Sequence, residues 1–255
     1  MAIDRNDPRS PSRQIADDLR AAIRAGEISP GGRLPSERQL VERYDIAPQT
    51  ARQAVAALKT EGLVDSRAGR GVFVRQPPAI IQVGSDRYAR WRRDSGKGPL
   101  QTEAEDRGLD WQQEILGLAT EPANEWIARR LDISPGIKVF VRRRRTWIEG
   151  APAQLADSYY RLNDVWGSRV MKEDTGPGGA YARLEERGLR LRRFREEIAI
   201  RMPTPEEARG LQLGPGIPVA ELHRIAYSAD RPIEVFRSIL SGSTHTFAYE
   251  FDAPD

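Results

Sequence analysis

Apolar residues in the first part of the chain recur with the period of an α-helix. Ile15, Leu19 and Ile23 are spaced by four residues. That spacing predicts a helix from about Pro11 to Ala25 with one apolar face. Gly26 follows directly and is typical of a residue that ends a helix.

Two further helices are predicted next. Ser36 is a typical N-cap, and Gln39 three residues later completes a capping box. Pro48 suits the first position of a third helix, because its missing N–H would have no helical partner there. Small and apolar residues run along this helix from Ala51 to Leu58, and Gly62 ends it.

A β-hairpin is predicted after the third helix. Residues 63–66 and 72–74 have strand character and are joined by a glycine-containing turn. Three helices followed by a hairpin form the winged helix–turn–helix pattern, in which the third helix enters the major groove of DNA. The alternative from these residues alone is an inert three-helix bundle with solvated arginines.

Four polar side chains of this segment are placed to contact DNA. Gln49, Thr50 and Arg52 lie near the start of the third helix, where side chains reach base edges and the helix end favours phosphate. Arg70 follows Gly69 at the tip of the predicted hairpin, where the backbone can approach the duplex closely.

The remainder of the chain predicts a second, α+β domain with an antiparallel sheet. We place the first domain at 1–76, a proline-containing linker at 77–79 and the second domain at 80–255. Within the second domain, the pattern predicts strands at Trp111–Ala119 and Leu191–Met202, helices at Pro122–Leu131 and Tyr181–Arg187, and a loop at Arg92–Asp106.

An internal repeat supports this view of the second domain. Residues 131–160 align without gaps on residues 211–240, at an offset of 80. The identical pairs are Leu131/Leu211, Pro135/Pro215, Gly136/Gly216, Ile137/Ile217, Val139/Val219, Arg144/Arg224, Pro152/Pro232 and Ser158/Ser238. Each unit reads as a short helix, a Pro-Gly turn and two strands joined by a hairpin turn, so we favour an internal duplication.

Composition excludes several classes of chemistry. The 255 residues include no Cys and two His, which argues against disulfides, thiolate metal sites and cysteine nucleophiles. We therefore expect no metal, no cofactor and no catalytic residues. Because no apolar run is long enough to cross a membrane, we expect no membrane partner and a cytoplasmic location.

The net charge of +3 is confined to the N-terminal third. Residues 1–75 contain 13 Arg or Lys against 10 Asp or Glu, and the remainder balances. A local positive excess suits a module that binds a polyanion.

The N-terminal third resembles the GntR family of bacterial transcription regulators. Its motif R-L-P-S-E-R-x-L…T-x-R-Q-A…E-G-L…G-R-G-x-F-V is matched at 33–40, 50–54, 61–63 and 69–74. The resemblance implies that Arg38, Thr50, Arg52, Gly69 and Arg70 face DNA. The full set of expected DNA-contacting residues is Arg33, Ser36, Arg38, Gln49, Thr50, Arg52, Gly69 and Arg70. Family members often carry Ser-Arg or Thr-Arg where this chain has Ala47-Pro48, which shifts base reading toward Gln49.

The C-terminal region resembles the UTRA domain, the effector-binding domain of the HutC subfamily, whose fold is similar to that of chorismate lyase. In that family a small molecule, often anionic, binds between the two halves. The resemblance implies a ligand site built from Arg87, Tyr88, Arg144, Ser158, Tyr159 and Glu234. Each has a plain alternative: Arg144 could pair with Glu196 or Glu197, and Glu234 could be a charge on the face of the sheet.

Together these observations predict a homodimeric repressor released from a palindromic double-stranded DNA operator by a small-molecule effector. One alternative is a constitutive repressor whose C-terminal domain serves only for dimerisation. The other, an enzyme of the lyase type, lacks an evident base–nucleophile pair in the sequence.

Overall fold

The computed structural model describes residues 3–4, 6–67, 69–75, 81–84, 99–229 and 231–250. Contacts divide the chain into two compact units, Met1–Pro78 with Leu213–Ile217, and Ala79–Gln212 with Pro218–Asp255. The domain boundaries predicted from the sequence lie in 76–80, outside the described residues, and stay a prediction.

The N-terminal unit has the expected three helices and hairpin. Its elements are α1 (Pro11–Arg24), α2 (Glu37–Tyr44), α3 (Pro48–Thr60), β1 (Val64–Arg67) and β2 (Gly71–Val74). The strands β1 and β2 pair in antiparallel fashion, and Arg33 adds a backbone bridge to Phe73. The winged helix–turn–helix fold predicted from the sequence is confirmed.

Local chemistry explains where these helices begin and end. Ser36 caps α2, and its side chain and that of Gln39 form the predicted capping box. Asp45 ends α2 in the left-handed conformation at φ 51°, and Pro48 occupies the first turn of α3. Ala51 and Ala54 are fully buried, so the first half of α3 presents small side chains to the core, while Val55 and Leu58 fill the core beside its second half.

The C-terminal unit is built on one six-stranded antiparallel sheet. Its elements are β3 (Ile81–Gly84), α4 (Pro99–Glu105), β4 (Trp111–Pro122), α5 (Glu125–Leu131), β5 (Lys138–Ile148), β6 (Ala151–Arg161), α6 (Leu162–Val165), a 3-10 turn (Arg169–Met171), α7 (Gly179–Glu186), β7 (Arg193–Arg201), α8 (Pro205–Gly210), β8 (Val219–Ser228), β9 (Arg231–Ser241) and β10 (His245–Ala248). The strand order is β4-β5-β6-β9-β8-β7, and β3 and β10 form a separate parallel pair. The antiparallel α+β fold is thus confirmed.

Two of the sequence-based boundaries are corrected. The segment Arg92–Asp106, expected to be a loop, contains α4, whose Ala104 packs beside Ile148 and Ala153. Pro122 was expected to begin a helix but ends β4, and α5 begins after its N-cap Asn124. In α4 the buried residues Glu103 and Ala104 are adjacent, and α5 is marked mainly by its cap Asn124. Neither pattern has enough periodicity to fix the boundary.

The structure repeats its elements at the offset of 80 residues seen in the sequence. The strand β9 has the bounds of β6 shifted by 80, and both hairpins change register at equivalent positions, 146/147 and 226/227. The left-handed residues Asp132 and Glu149 recur as Gln212 and Ala229. These equivalences support an internal duplication, which we retain as a proposal.

The face of the sheet that carries α5 and α8 holds a network of ion pairs. The Glu207 carboxylate accepts hydrogen bonds from Arg201 at 2.7 and 2.8 Å and from Arg237 at 3.0 Å. Glu221 accepts from the Nε atoms of the same two arginines at 2.7 Å. The Arg201 hydrogen bonds hold the pKa of Glu207 at about 2. For Glu221, burial raises the pKa, but the arginine hydrogen bonds outweigh it and hold the value at about 2.

We expect the stability of this unit to fall as the pH is lowered from about 5 to about 2. Both carboxylates have a lower pKa in the folded chain than in the unfolded chain, so the unfolded state binds more protons in this window. The stabilisation from these ion pairs is fully present above the pKa values that Glu207 and Glu221 have in the unfolded chain. It is lost as the pH falls toward their folded pKa of about 2. Urea unfolding between pH 7 and pH 3 should show Glu207→Gln with a weaker pH dependence than the wild type. The exposed neighbour supplies the control, Glu206→Gln, and equal pH dependence in all three proteins would contradict the assignment.

Candidate DNA-binding surface and ligand site

The start of α3 presents polar side chains to solvent. Gln49 and Arg52 are exposed and Thr50 is half-buried, while Ala47 provides no side-chain cap for the first N–H groups of the helix. Uncapped N–H groups and the positive end of the helix dipole favour an anionic group such as a DNA phosphate. The first turn of α3 thus combines exposed polar side chains with a helix end that favours an anion.

Two arginines of this surface are held by carboxylates of α2. The Nε atom of Arg52 lies 3.2 Å from the Glu37 carboxylate, and the Nε atom of Arg38 lies 2.8 Å from that of Glu42. All four side chains are more than half exposed. Exposed ion pairs contribute about 0–1 kcal/mol, so DNA phosphates or bases can replace these carboxylates at low cost.

The hairpin tip has the backbone expected of a wing. Gly69 and Gly71 have φ values of 68° and 114°, and Arg70 between them is exposed. A Cβ atom added to Gly71 would lie 2.9 Å from Nε of Arg33. Glycine is therefore required at this position both by its conformation and by the arginine beneath it.

Ser36 differs from the other expected DNA contacts. Its hydroxyl accepts the N–H of Gln39 at 3.3 Å as the cap of α2. The serine is half-buried in this role, which fixes the start of the helix that carries Arg38. Contact between these residues and DNA stays a prediction.

In the C-terminal unit, the four consecutive arginines of β5 divide between the two faces of the sheet, because consecutive strand residues alternate. Arg143 pairs with Glu121 at 2.8 Å and Arg145 pairs with Glu114 at 2.8 Å. Neither Arg142 nor Arg144 has an acidic partner within salt-bridge distance among the described residues.

Arg142 is the most unusual of the four. It is 2 % exposed, and its guanidinium donates to the backbone carbonyls of Val170, Lys172 and Glu173. Its Nε is buried and has no hydrogen-bond partner. Burial lowers the pKa of Arg142, and the positive charge of Arg144 acts in the same direction. A buried cation without a carboxylate is costly, and an anion bound beside it would remove that cost.

Arg144 and Ser158, both expected from the resemblance to the UTRA domain, lie together on the same face. The Arg144 guanidinium donates to the Ser158 hydroxyl at 2.5 Å and lies 5.9 Å from the centre of the Phe236 ring. Ser158 is fully buried, and Nε of Arg144 is a second buried donor without a partner. The alternative role of Arg144, a pairing with Glu196 or Glu197, is not found among the described residues; Glu197 instead pairs with Arg130 and Arg195.

Glu234 is buried on this face and is bound by protein donors. Its carboxylate accepts hydrogen bonds from Tyr160 at 2.8 Å, from Tyr181 at 2.5 Å and from Arg224 at 3.2 Å. Burial raises the pKa of Glu234, but the charge of Arg224 and the two tyrosine hydroxyls outweigh it and lower the value. Within the structure Glu234 therefore neutralises Arg224, and any contact with a ligand would compete with these donors.

Two arginines of this face remain uncompensated. The four central strands β5, β6, β9 and β8 carry Arg142, Arg144 and Arg224 on it, and the only carboxylate they place there is Glu234. Since Glu234 hydrogen-bonds Arg224, the Arg142–Arg144 pair has an excess of positive charge, which Asp174 and Glu234 reduce only by attraction at longer range. We define these two residues with Ser158 as the arginine site.

The structure does not bring every expected ligand residue to the arginine site. Tyr159 packs on the opposite face with α5 and donates to Asp157 at 3.3 Å, because it follows Ser158 directly on β6. Arg87 and Tyr88 lie outside the described residues.

Sequence reasoning missed four residues of this region: Arg142, Tyr160, Tyr181 and Arg224. A signal existed for two of them. Arg142 is two positions from Arg144 and so shares its face, and Arg224 is the counterpart of Arg144 in the repeat. The two tyrosines are joined to Glu234 only by the fold.

The described residues contain no group of three or more His, Asp or Glu that could hold a metal ion. Across the same ranges, no helix is long and apolar enough to span a membrane.

Comparison with known proteins matches each unit to a protein family. Residues 11–74 match the model of the gntR family of bacterial regulatory proteins, and residues 106–246 match the UTRA domain. An uncharacterised HTH-type transcriptional regulator of Streptomyces coelicolor is 33 % identical, covering 97 % of this chain and 95 % of its own length. The mannosyl-D-glycerate transport/metabolism system repressor MngR of Escherichia coli is 27 % identical, covering 92 % and 93 %. The crystal structure of PhnF from Mycobacterium smegmatis aligns with a TM-score of 0.59 at 25 % identity, covering 94 % of this chain and all of that chain.

Proposed function

The chain belongs to the gntR family of bacterial regulatory proteins and carries a UTRA domain, and from this premise we propose that it is a homodimeric repressor released from a palindromic operator by a small anionic effector. As a member of this family it is a DNA-binding transcriptional regulator and not an enzyme. We place it in the cytoplasm, where it would reach bacterial DNA.

The observation that carries the proposal is the arginine site. Arg142 and Arg144 are buried or half-buried cations whose Nε atoms lack partners, and the one carboxylate that the central strands place on their face is used by Arg224. A phosphate or carboxylate would satisfy both donors through charge-assisted hydrogen bonds. The Ser158 hydroxyl would add a neutral donor to the same anion.

The sign of regulation is argued from the relatives. The Escherichia coli relative is named a repressor, and we extend that sign to this chain. Two copies would place two α3 helices about one DNA turn apart, which is the spacing that a palindromic site requires. The effector would release the operator by binding more tightly to the dimer geometry that does not fit it.

Footprinting on the DNA upstream of the chain's own gene tests the DNA-binding part. We expect two protected half-sites related by a two-fold axis. Native mass spectrometry of protein purified from its source tests the effector part, and a bound species that carries phosphate or carboxylate is expected. A single unsymmetrical footprint would contradict the dimer on a palindrome.

We expect Arg144→Ala to raise the effector concentration needed for operator release by about 10- to 150-fold without changing operator affinity. The loss of its guanidinium removes one of the two uncompensated cations, and a charge-assisted hydrogen bond contributes about 1.5–3 kcal/mol. Operator release should be titrated with a panel of phosphorylated and carboxylated sugars by fluorescence anisotropy. The matched control is Arg145→Ala, which removes the same charge from the next residue on the opposite face. Equal responses of the two variants would contradict the arginine site. No response of the wild type to any anion, together with no bound species in native mass spectrometry, would favour a constitutive repressor.

A further inference from the structure

The strand β7 presents an exposed apolar stripe at the last position of the six-stranded sheet. Ile198, Ile200 and Met202 are 37 %, 67 % and 59 % exposed, and their spacing by two places them on one face. Tyr249, 46 % exposed, lies beside them and donates to Glu196 of the same strand at 3.4 Å. These four residues make up most of the exposed large apolar side chains among the described residues.

The two edges of the sheet differ in how they are built. The strand β4 at the other edge has a register shift between Ile115 and Gly117 and ends at Pro122, which are features that discourage pairing with another chain. Arg193–Arg201 of β7 pairs with β8 without any shift and contains neither proline nor glycine. Among the described strands none pairs with its outer backbone groups, and the segment Ile198–Ile200 carries no charged side chain.

We infer that β7 pairs in antiparallel fashion with β7 of a second copy, so that the two sheets join across a two-fold axis; this rests on the proposed homodimer. A two-fold contact uses the same surface on both copies. Side chains that face each other across antiparallel strands must lie on the same face of the sheet. The sequence numbers of two residues that face each other must therefore differ by an even number, which leaves few possible registers.

One register is complementary on both faces of the joined sheet. With Ala199 on the axis, Ile198 of each copy lies opposite Ile200 of the second copy, which covers the apolar stripe. On the other face, Glu197 of each copy lies opposite Arg201 of the second copy, which also binds Glu207 and Glu221 of its own chain. Centring the axis on Ile198 instead would set Arg195 opposite Arg201, a pairing of like charges that is destabilising.

Cross-linking tests this register with little ambiguity, because the chain contains no cysteine. We expect Ala199→Cys to form a disulfide dimer on mild oxidation, since the axis places this residue opposite itself within the Cα separation of about 4.4–6.8 Å that a disulfide needs. Leu116→Cys, at an exposed position of β4, is the matched control and should remain uncross-linked. Cross-linking of the control alone, or of both variants equally, would overturn the inference.

Light scattering with Ile200→Asp supplies a second readout. An aspartate at this position would be buried next to Ile198 of the second copy, so dimer affinity should fall by about 100-fold or more. Leu116→Asp should leave it unchanged, and circular dichroism should show that both variants fold. A dimer that persists in Ile200→Asp would overturn the inference that β7 forms the interface. The DNA footprint described above tests the proposed dimeric repressor independently of this interface.

Discussion

Glu234→Gln is expected to lower the free energy of unfolding of the C-terminal unit by about 3–5 kcal/mol, the range seen when one partner of a buried ion pair is removed. Glu234 is 2 % exposed and Arg224 is 6 % exposed, so the arginine would keep its charge in a place that water does not reach. The glutamine keeps the shape of the side chain and can still accept one hydrogen bond. The loss therefore reports on charge rather than on packing.

Tryptophan fluorescence during urea unfolding is the measurement. All five tryptophans follow residue 90 in the sequence, so the signal arises from the C-terminal unit. Glu186→Gln, whose 60 % exposed side chain pairs with Arg183, is the control and should change the free energy of unfolding by about 0.5 kcal/mol or less. Replacing Arg224 and Glu234 together by leucine, with Tyr160→Phe and Tyr181→Phe, should recover most of the loss, because neither a charge nor a buried hydroxyl is then left without a partner. A combined variant as unstable as Glu234→Gln would contradict this account.

Arg52→Ala is expected to weaken operator binding by about 10- to 100-fold, since a side chain that reads a base contributes about 1–3 kcal/mol. The loss should be larger for the operator than for unrelated DNA, which lowers the ratio of specific to non-specific affinity. Arg70→Ala at the wing tip should instead weaken binding to all sequences and reduce the slope of log affinity against log salt by about one ion.

Fluorescence anisotropy at several salt concentrations measures both effects. Arg129→Ala removes an equal charge from an exposed position of α5 in the C-terminal unit and should leave affinity and salt slope unchanged. If Arg52→Ala and Arg70→Ala behave like this control, the assignment of DNA contacts to α3 and to the wing is wrong.

The N-terminal unit could be predicted from the sequence because its signals are local. Ser36 and Gln39 form their capping box within four residues, and Pro48 marks the first turn of α3 without any long-range contact. The apolar period of α1 is equally local. Each of these features is decided by neighbours in the chain, so the pattern of residues and the fold agree.

The ligand region could be predicted only in part, because its contacts join distant segments. Three features of Arg144 were visible in the sequence. They are the strand that it occupies, the face of the sheet that it shares with Ser158, and its counterpart Arg224 in the repeat. The carbonyls that hold Arg142 lie 28 to 31 residues away, and Tyr181 reaches Glu234 across 53 residues. A linear pattern does not reveal such long-range contacts, so the sequence indicated the face on which Arg142 lies but not its burial.

The repetition at 80 residues also sets Asp157 of β6 opposite Arg237 of β9 in the middle of the sheet, so equivalent positions of the two halves face each other there. On the ligand-site face, the counterpart of Glu234 is Gln154, which donates to Ser238 at 2.6 Å. One charge therefore distinguishes two otherwise matched arginines: Arg224 is neutralised and Arg144 is not. The face is thus electrically polar along its length, so the proposed effector, if it carries one anionic end, would bind there in a single orientation. A symmetric arrangement of two identical halves would accept that molecule in either direction, so the difference between Glu234 and Gln154 would make the proposed site directional.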